Sequence, residues 1–293
     1  MKHSLNHLSL MTKIIYFVLM AAAAVVILIP FIIMFFTSLK APSEIRSASF
    51  QLFPEVFQWS NYKEAMTSST WSIFFRNSLL ITSLAVVSSL TINSLAGFAF
   101  ARMRFKGRDQ LFFLALTGML IPIQVTMLPN YVVMRYFPLA GGNNILGQGG
   151  TGLINTWLGI LAPNLAGAFG VFMFRQFFMN FPTALDDAAK VDGLGRLGAF
   201  FRIYIPLSKP VFATMIVLKT TSTWNEYTWP LIITTSRDKW TVQLALSVFK
   251  TEFNTQWHLL MAATVLITLP VLLLYAFLQQ YFIEGITTTG IKA

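Results

Sequence analysis

Long stretches without a charged residue alternate with short polar segments along the 293-residue chain. The three clearest charge-free intervals are residues 14–39, 77–101 and 110–134. Each can supply the roughly 20 apolar residues with which a helix crosses a bilayer. Three more apolar segments follow: one after the Gly/Asn-rich loop 140–152, one at 210–234 and one at 258–283. The pattern predicts an all-α membrane protein with six transmembrane helices, in which residues 1–293 form a single transmembrane domain.

The composition agrees with a protein that lies mainly in lipid. Charged residues make up 11% of the chain and the mean hydropathy is +0.64, whereas soluble proteins carry about 25% charged residues. So few charges cannot cover a water-exposed surface of this size, which excludes an ordinary soluble domain. The chain has no cysteine and three scattered histidines, so the sequence suggests no metal site and no catalytic residues.

The excess of cations, 21 Lys and Arg against 11 Asp and Glu, is distributed unevenly among the loops. Cations are concentrated between predicted helices two and three, at 102–108, and between helices four and five, at 175–209. Because loops that retain Lys and Arg face the cytoplasm, both termini are predicted to be cytoplasmic. Nucleic-acid binding is not indicated, since no basic run is interleaved with exposed aromatic residues.

The predicted loop between helices four and five, about residues 181–206, contains a short amphipathic helix. Pro182 ends the preceding helix. Thr183 with Asp186 three residues later resembles a capping box, and Gly193 is placed to end the short helix with a positive φ. A capped helix with a partly apolar face at the cytoplasmic surface indicates a docking element. A plain connector helix is the alternative interpretation.

The same loop resembles the EAA motif of ABC importer permeases. The matching positions are Asp187-Ala188-Ala189, Gly193, Ile203 and Ile205-Pro206, with Asp187 in place of Glu and Ile205 in place of Leu. Asp192 before Gly193 is similar to the carbohydrate-uptake branch of these permeases. Segments 223–230, 261–263 and 279–285 also look like this branch, so most of the chain resembles the MalG-like sugar permeases.

This resemblance implies a permease subunit of an ATP-driven ABC importer for a sugar or oligosaccharide, a multi-pass protein of the bacterial cytoplasmic (inner) membrane. Its implied partners are a second homologous permease subunit, two ATPase subunits and an extracytoplasmic solute-binding protein. The chain itself is expected to be no enzyme and to hold no cofactor, because ATP and Mg belong to the ATPase subunits. The coupling residues that the resemblance implies are Asp187, Ala188, Ala189, Asp192, Gly193, Ile203 and Pro206.

Two other classes of membrane protein are alternatives. An ion-coupled secondary transporter would usually show repeated halves and paired ionisable residues at the bilayer midplane. Here only Lys219 and Glu226 fall inside a predicted span, and the EAA-like loop would be unexplained. An intramembrane enzyme would need a catalytic constellation, and the spans contain no His-Glu-x-x-His motif and no cysteine.

A polar and aromatic cluster in the fifth predicted helix is the candidate substrate path. Its members are Lys219, Trp224, Asn225, Glu226 and Tyr227. Amide and aromatic side chains suit sugars, but Trp and Tyr also mark membrane interfaces. Lys219 leads to the hypothesis that the substrate is an acidic oligosaccharide such as a uronate. An ion pair with Glu226, a partner on the second permease, and snorkelling to the surface are its structural alternatives.

Overall fold

The computed structural model describes residues 10–47, 49, 51–250 and 255–288, and helices dominate this part of the chain. The α-helices are α1 Leu10–Ser38, α2 Pro42–Arg46, α3 Ser60–Thr67, α4 Trp71–Arg102, α5 Arg108–Thr117, α6 Ile123–Arg135, α7 Trp157–Leu161, α8 Ala168–Met179, α9 Ala184–Val191, α10 Arg196–Ala199, α11 Ile205–Leu207, α12 Lys209–Trp224, α13 Thr228–Ile233, α14 Val242–Ala245 and α15 Trp257–Thr288. The described residues form no β-strand beyond one isolated bridge between Lys250 and Thr255. The all-α prediction is therefore confirmed for them.

Three helices are long and apolar enough to cross a membrane by themselves: Leu10–Ser38, Trp71–Arg102 and Trp257–Tyr281. Two bent helix pairs also qualify when each pair is taken together. They are Trp157–Asn164 with Ala168–Met179, bent by 42°, and Arg196–Leu207 with Lys209–Trp224, bent by 81°. The part of the chain that the structure describes thus holds three to five candidate spans.

The third predicted span differs from the expectation. The charge-free interval 110–134 forms two helices, α5 and α6, which are separated at Gly118–Pro122. Pro122 is the N-cap residue of α6, with φ −58° and ψ 137°. This extended backbone interrupts helical hydrogen bonding, since proline lacks an N–H group. The predicted loop at 140–152 contains no helix or strand, as expected.

The chain divides into two compact units, and the first comprises the described residues of Met1–Thr70 and Leu246–Thr268. Asn61 of α3 is buried and fixes the end of α1. Its amide Nδ2 donates to the carbonyls of Ser38 and Lys40, both at 2.9 Å. The hydroxyl groups of Ser38 and Tyr62 lie 2.7 Å apart. These polar contacts therefore attach α3 to the C-terminal end of α1, where the charge-free sequence stops.

The second unit comprises Trp71–Ala245 and the described residues from Leu269 onward. In it, α4 packs along α8 and α12. Small residues allow the close approach of α4 and α8: a Cβ atom built on Gly97 would lie 2.6 Å from the Cβ of Phe174. The side chain of Asn93 fills the space over Gly170 and accepts a hydrogen bond from Gly167 N–H at 3.1 Å. Small interface residues of this kind are typical of helix pairs in membranes.

Candidate functional site

The short helix predicted in the loop exists as α9, Ala184–Val191. The predicted capping box is wrong, because the Thr183 side chain makes no capping hydrogen bond and its backbone is helical, at φ −64° and ψ −23°. The carboxylate of Asp186 has another partner, since it accepts a hydrogen bond from the Tyr204 hydroxyl at 2.7 Å. A tertiary contact has therefore replaced the local cap.

The C-terminal end of α9 follows the prediction. Gly193 has φ +71°. Leu194 N–H donates to the Ala189 carbonyl at 2.8 Å and Gly193 N–H donates to the Lys190 carbonyl at 3.0 Å. This pair of hydrogen bonds is the Schellman motif, which ends a helix through a residue in the left-handed region. The chain therefore turns sharply after α9 and begins α10 three residues after Gly193.

Along α9 the side chains divide into an inner and an outer set. Ala189 is buried, with 2% of its surface exposed, whereas Ala188 is exposed and Val191 is 87% exposed. Asp187 and Lys190 form an ion pair of 2.9 Å on the surface, with about two thirds of each side chain exposed. The outer set thus presents small apolar side chains beside a surface ion pair, which allows close approach of another backbone or side chain.

The other predicted coupling residues flank this helix. Asp192 is the exposed C-cap residue of α9. Ile203 packs against an aromatic cluster formed mainly by Phe98, Phe174, Phe178, Phe200 and Tyr204. Pro206 lies in α11, where its missing N–H is tolerated in the first turn. The seven predicted residues therefore lie on α9, on the turn after it and on the segment leading into α12.

Arg102, Tyr204 and Asp186 hold the loop in place, and the sequence pattern singles out only Asp186, as a capping residue. Arg102, the last residue of α4, donates from Nε to the Tyr204 hydroxyl at 2.7 Å. Its terminal nitrogen Nη2 donates to the carbonyls of Phe181 and Pro182 at 2.8 and 3.1 Å. The same Nε lies 3.6 Å from an oxygen of Asp186. These partners are 79 to 102 residues from Arg102 along the chain, so no local spacing rule could have identified the cluster.

Cations predominate in a recess of about 540 Å³ beside α9. Its charged lining residues are Arg102, Arg104, Arg108, Lys190 and Arg196 with the carboxylates of Asp186 and Asp187. All five cations are among those whose position in the loops predicted a cytoplasmic face, and the fold brings them together around the same helix.

The predicted substrate-path residues do not converge on one centre. Trp224 is buried and lines an apolar recess of about 340 Å³ between α4, α12 and the part of α15 after Leu269. The Asn225 amide oxygen accepts from Gln243 at 2.9 Å. Glu226 accepts from the Trp229 N–H at 3.0 Å and so begins α13, while Tyr227 is 42% exposed. Three of these side chains are engaged in local structure or packing.

Lys219 lies on α12, and its Nζ donates to the Oδ1 atom of Asn164 at 3.1 Å. Asn164 ends the 3₁₀ turn Ala162–Asn164 between the two helices of the first bent pair. Within the described segments no ion pair joins Lys219 to Glu226, and the hydrogen bond of the Lys219 amino group goes to the neutral amide of Asn164. No group of three His, Cys, Asp or Glu side chains among the residues described could hold a metal ion.

Known proteins resemble this chain in sequence and in fold. Residues 93–288 match the family model described as binding-protein-dependent transport system inner membrane component. The arabinooligosaccharides transport system permease protein AraQ of Bacillus subtilis (strain 168) is 34% identical over 270 residues, which cover 90% of each chain. The lactose transport system permease protein LacG of Rhizobium radiobacter is 35% identical over 213 residues, which cover 73% of each chain.

A solved structure agrees with the fold. It is the crystal structure of a bacterial ABC transporter involved in the import of the acidic polysaccharide alginate, and one of its chains matches with a TM-score of 0.78 and 24% identity. The match covers 93% of this chain and 96% of that chain. The helical fold is thus that of an ABC importer permease, and the family match spans the whole candidate coupling loop. The chain belongs to the family of binding-protein-dependent transport system inner membrane components, the permease subunits of ABC importers.

Proposed function

We propose that the chain is a carbohydrate importer subunit whose α9 docks on an ATPase subunit and couples ATP hydrolysis to transport. The observation that carries the proposal is the geometry of α9, a short helix with exposed Ala188 and Val191 and a sharp glycine-dependent end. As a permease subunit the chain is not an enzyme, and ATP hydrolysis belongs to separate ATPase subunits. The ion-coupled alternative does not fit a binding-protein-dependent family.

The proposed substrate is a sugar or oligosaccharide. AraQ is named for arabinooligosaccharides and LacG for lactose, and both belong to the same branch as the sequence resemblance. The recess beside Trp224 is proposed as part of the path because Trp224 lines it together with Thr82, Ser83 and Thr220. Aromatic rings can pack on the C–H faces of sugars, and hydroxyls can bond to sugar hydroxyls.

The proposed assembly follows from the same assignment. A second homologous permease completes the translocation path, two ATPase subunits bind from the cytoplasm, and a solute-binding protein delivers substrate from outside. ATP and Mg are bound by the ATPase subunits. Residues 1–293 are proposed to form one transmembrane domain with six spans in the bacterial inner membrane. The third span is then composed of α5 and α6, whose break at Pro122 is buried against neighbouring helices of the assembly.

Replacing Gly193 with valine is expected to uncouple transport while the permease still inserts. The left-handed backbone costs a side chain about 1 kcal/mol or more, although nothing lies within 4 Å of a Cβ at this position. Gly195→Val is the matched control, because its φ is −70° and its surroundings are equally open. The measurement is ATP hydrolysis stimulated by the loaded binding protein, together with cross-linking from Ala188→Cys to the ATPase. If that cross-link never forms in the parent protein, the docking assignment is wrong.

The proposed orientation predicts which fused reporters are active. A reporter that works only in the cytoplasm is expected to be active after Lys106 or after Lys292, and silent when it is inserted near Asn143. The physical reason is the concentration of cations around α9 and at residues 102–108, which are retained on the cytoplasmic side. Activity at Asn143 with silence at Lys106 would reverse the topology and remove the docking role of α9.

Lys219 supports a second proposal, that the substrate is anionic. A cation within a span is usually functional or paired, and its partner here is the neutral amide of Asn164. Lys219→Gln should then reduce uptake of an oligouronate about tenfold or more, since a hydrogen bond to a charged group contributes about 1.5–3 kcal/mol. Uptake of a neutral arabinooligosaccharide of the same length should change little. Lys209→Gln, at the exposed start of α12, is the control. Equal losses for both sugars would leave Lys219 as a structural residue.

A further inference from the structure

Arg102 is the point at which the α9 loop is attached to α4. Its side chain is 7% exposed and that of Asp186 is 19% exposed. A guanidinium group this deeply buried is costly unless its donors are bound. Three of its contacts are hydrogen bonds to oxygen at 2.7 to 3.1 Å, and its charge is offset by Asp186 at 3.6 Å. The site is therefore a hydrogen-bonded polar cluster that has aromatic residues on the side of Tyr204 and the charged recess beside α9 on the other.

The partners of Arg102 come from both sides of α9. The carbonyls of Phe181 and Pro182 belong to the turn that enters the helix, and Tyr204 belongs to the π-helical turn Phe200–Tyr204 that follows it. Tyr204 also links Arg102 to α9 itself, because its hydroxyl donates a hydrogen bond to Asp186 in the first turn of α9. One residue at the end of α4 thus holds the entry, the first turn and the exit of the loop.

Packing leaves unfilled space on the inner side of α9 and around the turn that follows it. A recess of about 320 Å³ lies beside Ala189 and Leu194, behind the helix. The turn that leaves the helix contains Gly193 and Gly195, and neither has an atom within 4 Å of a Cβ built on it. Without the cluster, α9 could pivot about these glycines when force is applied to its exposed face. The cluster removes that freedom at the end nearest α4.

We propose that Arg102, Tyr204 and Asp186 form a latch that makes α9 move as one body with the cytoplasmic end of α4. The inference rests on the proposed docking of α9 to the ATPase. The inference adds a second route for the motion of α9. The motion reaches the helices next to the loop through the covalent chain, and it reaches α4 directly through the latch. Tyr204 is a positioning residue in this account, since it acts by orienting Asp186 and Arg102.

The absence of cysteine from the chain allows a direct test with two spin labels. One label is placed on Ala188→Cys in α9 and the other on Leu84→Cys, an exposed position in α4. Pulsed electron paramagnetic resonance measures the distance between the two labels. Leu84 is 18 residues from Arg102, or about 27 Å along the helix, so its label does not disturb the latch. The assembled importer is studied in lipid without nucleotide and after trapping with ATP and vanadate. The test variant is Tyr204→Phe, which deletes one hydroxyl and keeps the ring, and Tyr136→Phe is the control.

The latch predicts one narrow distance that is the same in both nucleotide states of the parent protein and of the control. In Tyr204→Phe the distribution should broaden or shift between the states, and stimulated ATP hydrolysis should fall roughly two- to thirtyfold. The conservative variant Arg102→Lys should show the same changes in distance and ATP hydrolysis as Tyr204→Phe. An ammonium group cannot donate to the three oxygens with the planar geometry of a guanidinium group. A residue with a merely structural role would lower the amount of assembled importer without changing the distance in the assembled fraction.

Two failures can be told apart in parallel, unlabelled samples by cross-linking Ala188→Cys to the ATPase. If the cross-link is absent from the parent protein, the docking proposal fails. If the cross-link forms in every variant while Tyr204→Phe has the parent's distances and ATP hydrolysis, docking stands and the latch is overturned.

Discussion

Replacing Gly97 with valine is expected to prevent the chain from accumulating as a folded protein. A Cβ atom at this position would lie 2.6 Å from the Cβ of Phe174 and 2.9 Å from the backbone nitrogen of Arg175. These atoms belong to the backbone of α8 or are fixed to it, so they cannot move aside as a flexible side chain could. Overpacking of a core typically costs about 1–3 kcal/mol and occasionally more, and valine adds two further methyl groups. We therefore expect a loss of at least about 3 kcal/mol.

The matched control for this substitution is Gly167→Val. Gly167 precedes α8, has extended backbone at φ −166°, and has no atom within 4 Å of a Cβ built on it. Monodisperse protein extracted in mild detergent, and its midpoint of thermal aggregation, are the quantities to compare. Normal yield and thermal stability of Gly97→Val would show that α4 and α8 are not in the close contact described.

Asn155→Ala is expected to have the second largest effect, about 3–4 kcal/mol. The Asn155 Oδ1 atom accepts hydrogen bonds from the N–H groups of Thr235 and Ser236 and from the Ser236 hydroxyl, at 2.9 to 3.1 Å. Because these hydrogen bonds are exposed or only partly buried, the three together contribute about 2 kcal/mol. Asn155 also has φ +57°, a conformation that asparagine tolerates but that costs alanine about 1–2 kcal/mol. The side chain therefore joins the segment before α7 to the segment after α13.

Two further variants separate the backbone contribution from the side-chain contribution. Asn155→Gly permits the positive φ but removes the acceptor, so it should lose only the hydrogen-bond part. Asn155→Asp keeps the acceptor and should be the mildest of the three. The measurement is the thermal unfolding midpoint in detergent. Equal midpoints for the alanine, glycine and aspartate variants would contradict the role assigned to the Oδ1 atom.

Local features of the loop could be predicted from sequence because they depend on residues close together in the chain. Gly193 ends α9 at a positive φ, as the order of residues predicted, since only the adjacent backbone decides that geometry. The capping box at Thr183 failed for the opposite reason. A tyrosine 18 residues away from Asp186 binds the carboxylate, and no local rule contains it.

The latch also depends on contacts between residues far apart in the chain, which local sequence rules cannot predict. Arg102 was read as one of several loop cations that indicate a cytoplasmic face, yet its side chain is 7% exposed. Its importance comes from a contact with Tyr204 across 102 residues. The signal in the sequence was an arginine that directly ends a long apolar span, which is where a cation can reach the backbone of a neighbouring loop.

The break between α5 and α6 has a signal in the sequence. Pro122 follows Gly118 by four residues in an otherwise uninterrupted apolar interval, and both residues disfavour a continuous helix. Charge-free length indicates only that a segment can lie in lipid. It does not indicate that the segment is one helix, because that depends on whether neighbours satisfy the backbone groups which a break leaves free.

Substrate contacts were the least predictable part of the site. Trp224, Asn225, Glu226 and Tyr227 are adjacent in sequence, but α12 ends at Trp224 and the chain turns before α13. The four side chains therefore point to different surroundings, and Glu226 begins the next helix by accepting the Trp229 N–H. A cluster in sequence becomes a cluster in space only where the backbone stays regular through it.

The chain is expected to transport its substrate with energy from ATP that is bound on partner subunits. The most direct measurement is uptake into proteoliposomes that contain this chain, its partner permease and the two ATPase subunits, with the loaded solute-binding protein outside. We predict uptake when ATP and Mg are enclosed, no uptake with enclosed ADP, and no dependence on proton or sodium gradients. Uptake that follows an ion gradient without ATP, or that proceeds without the binding protein, would contradict the account.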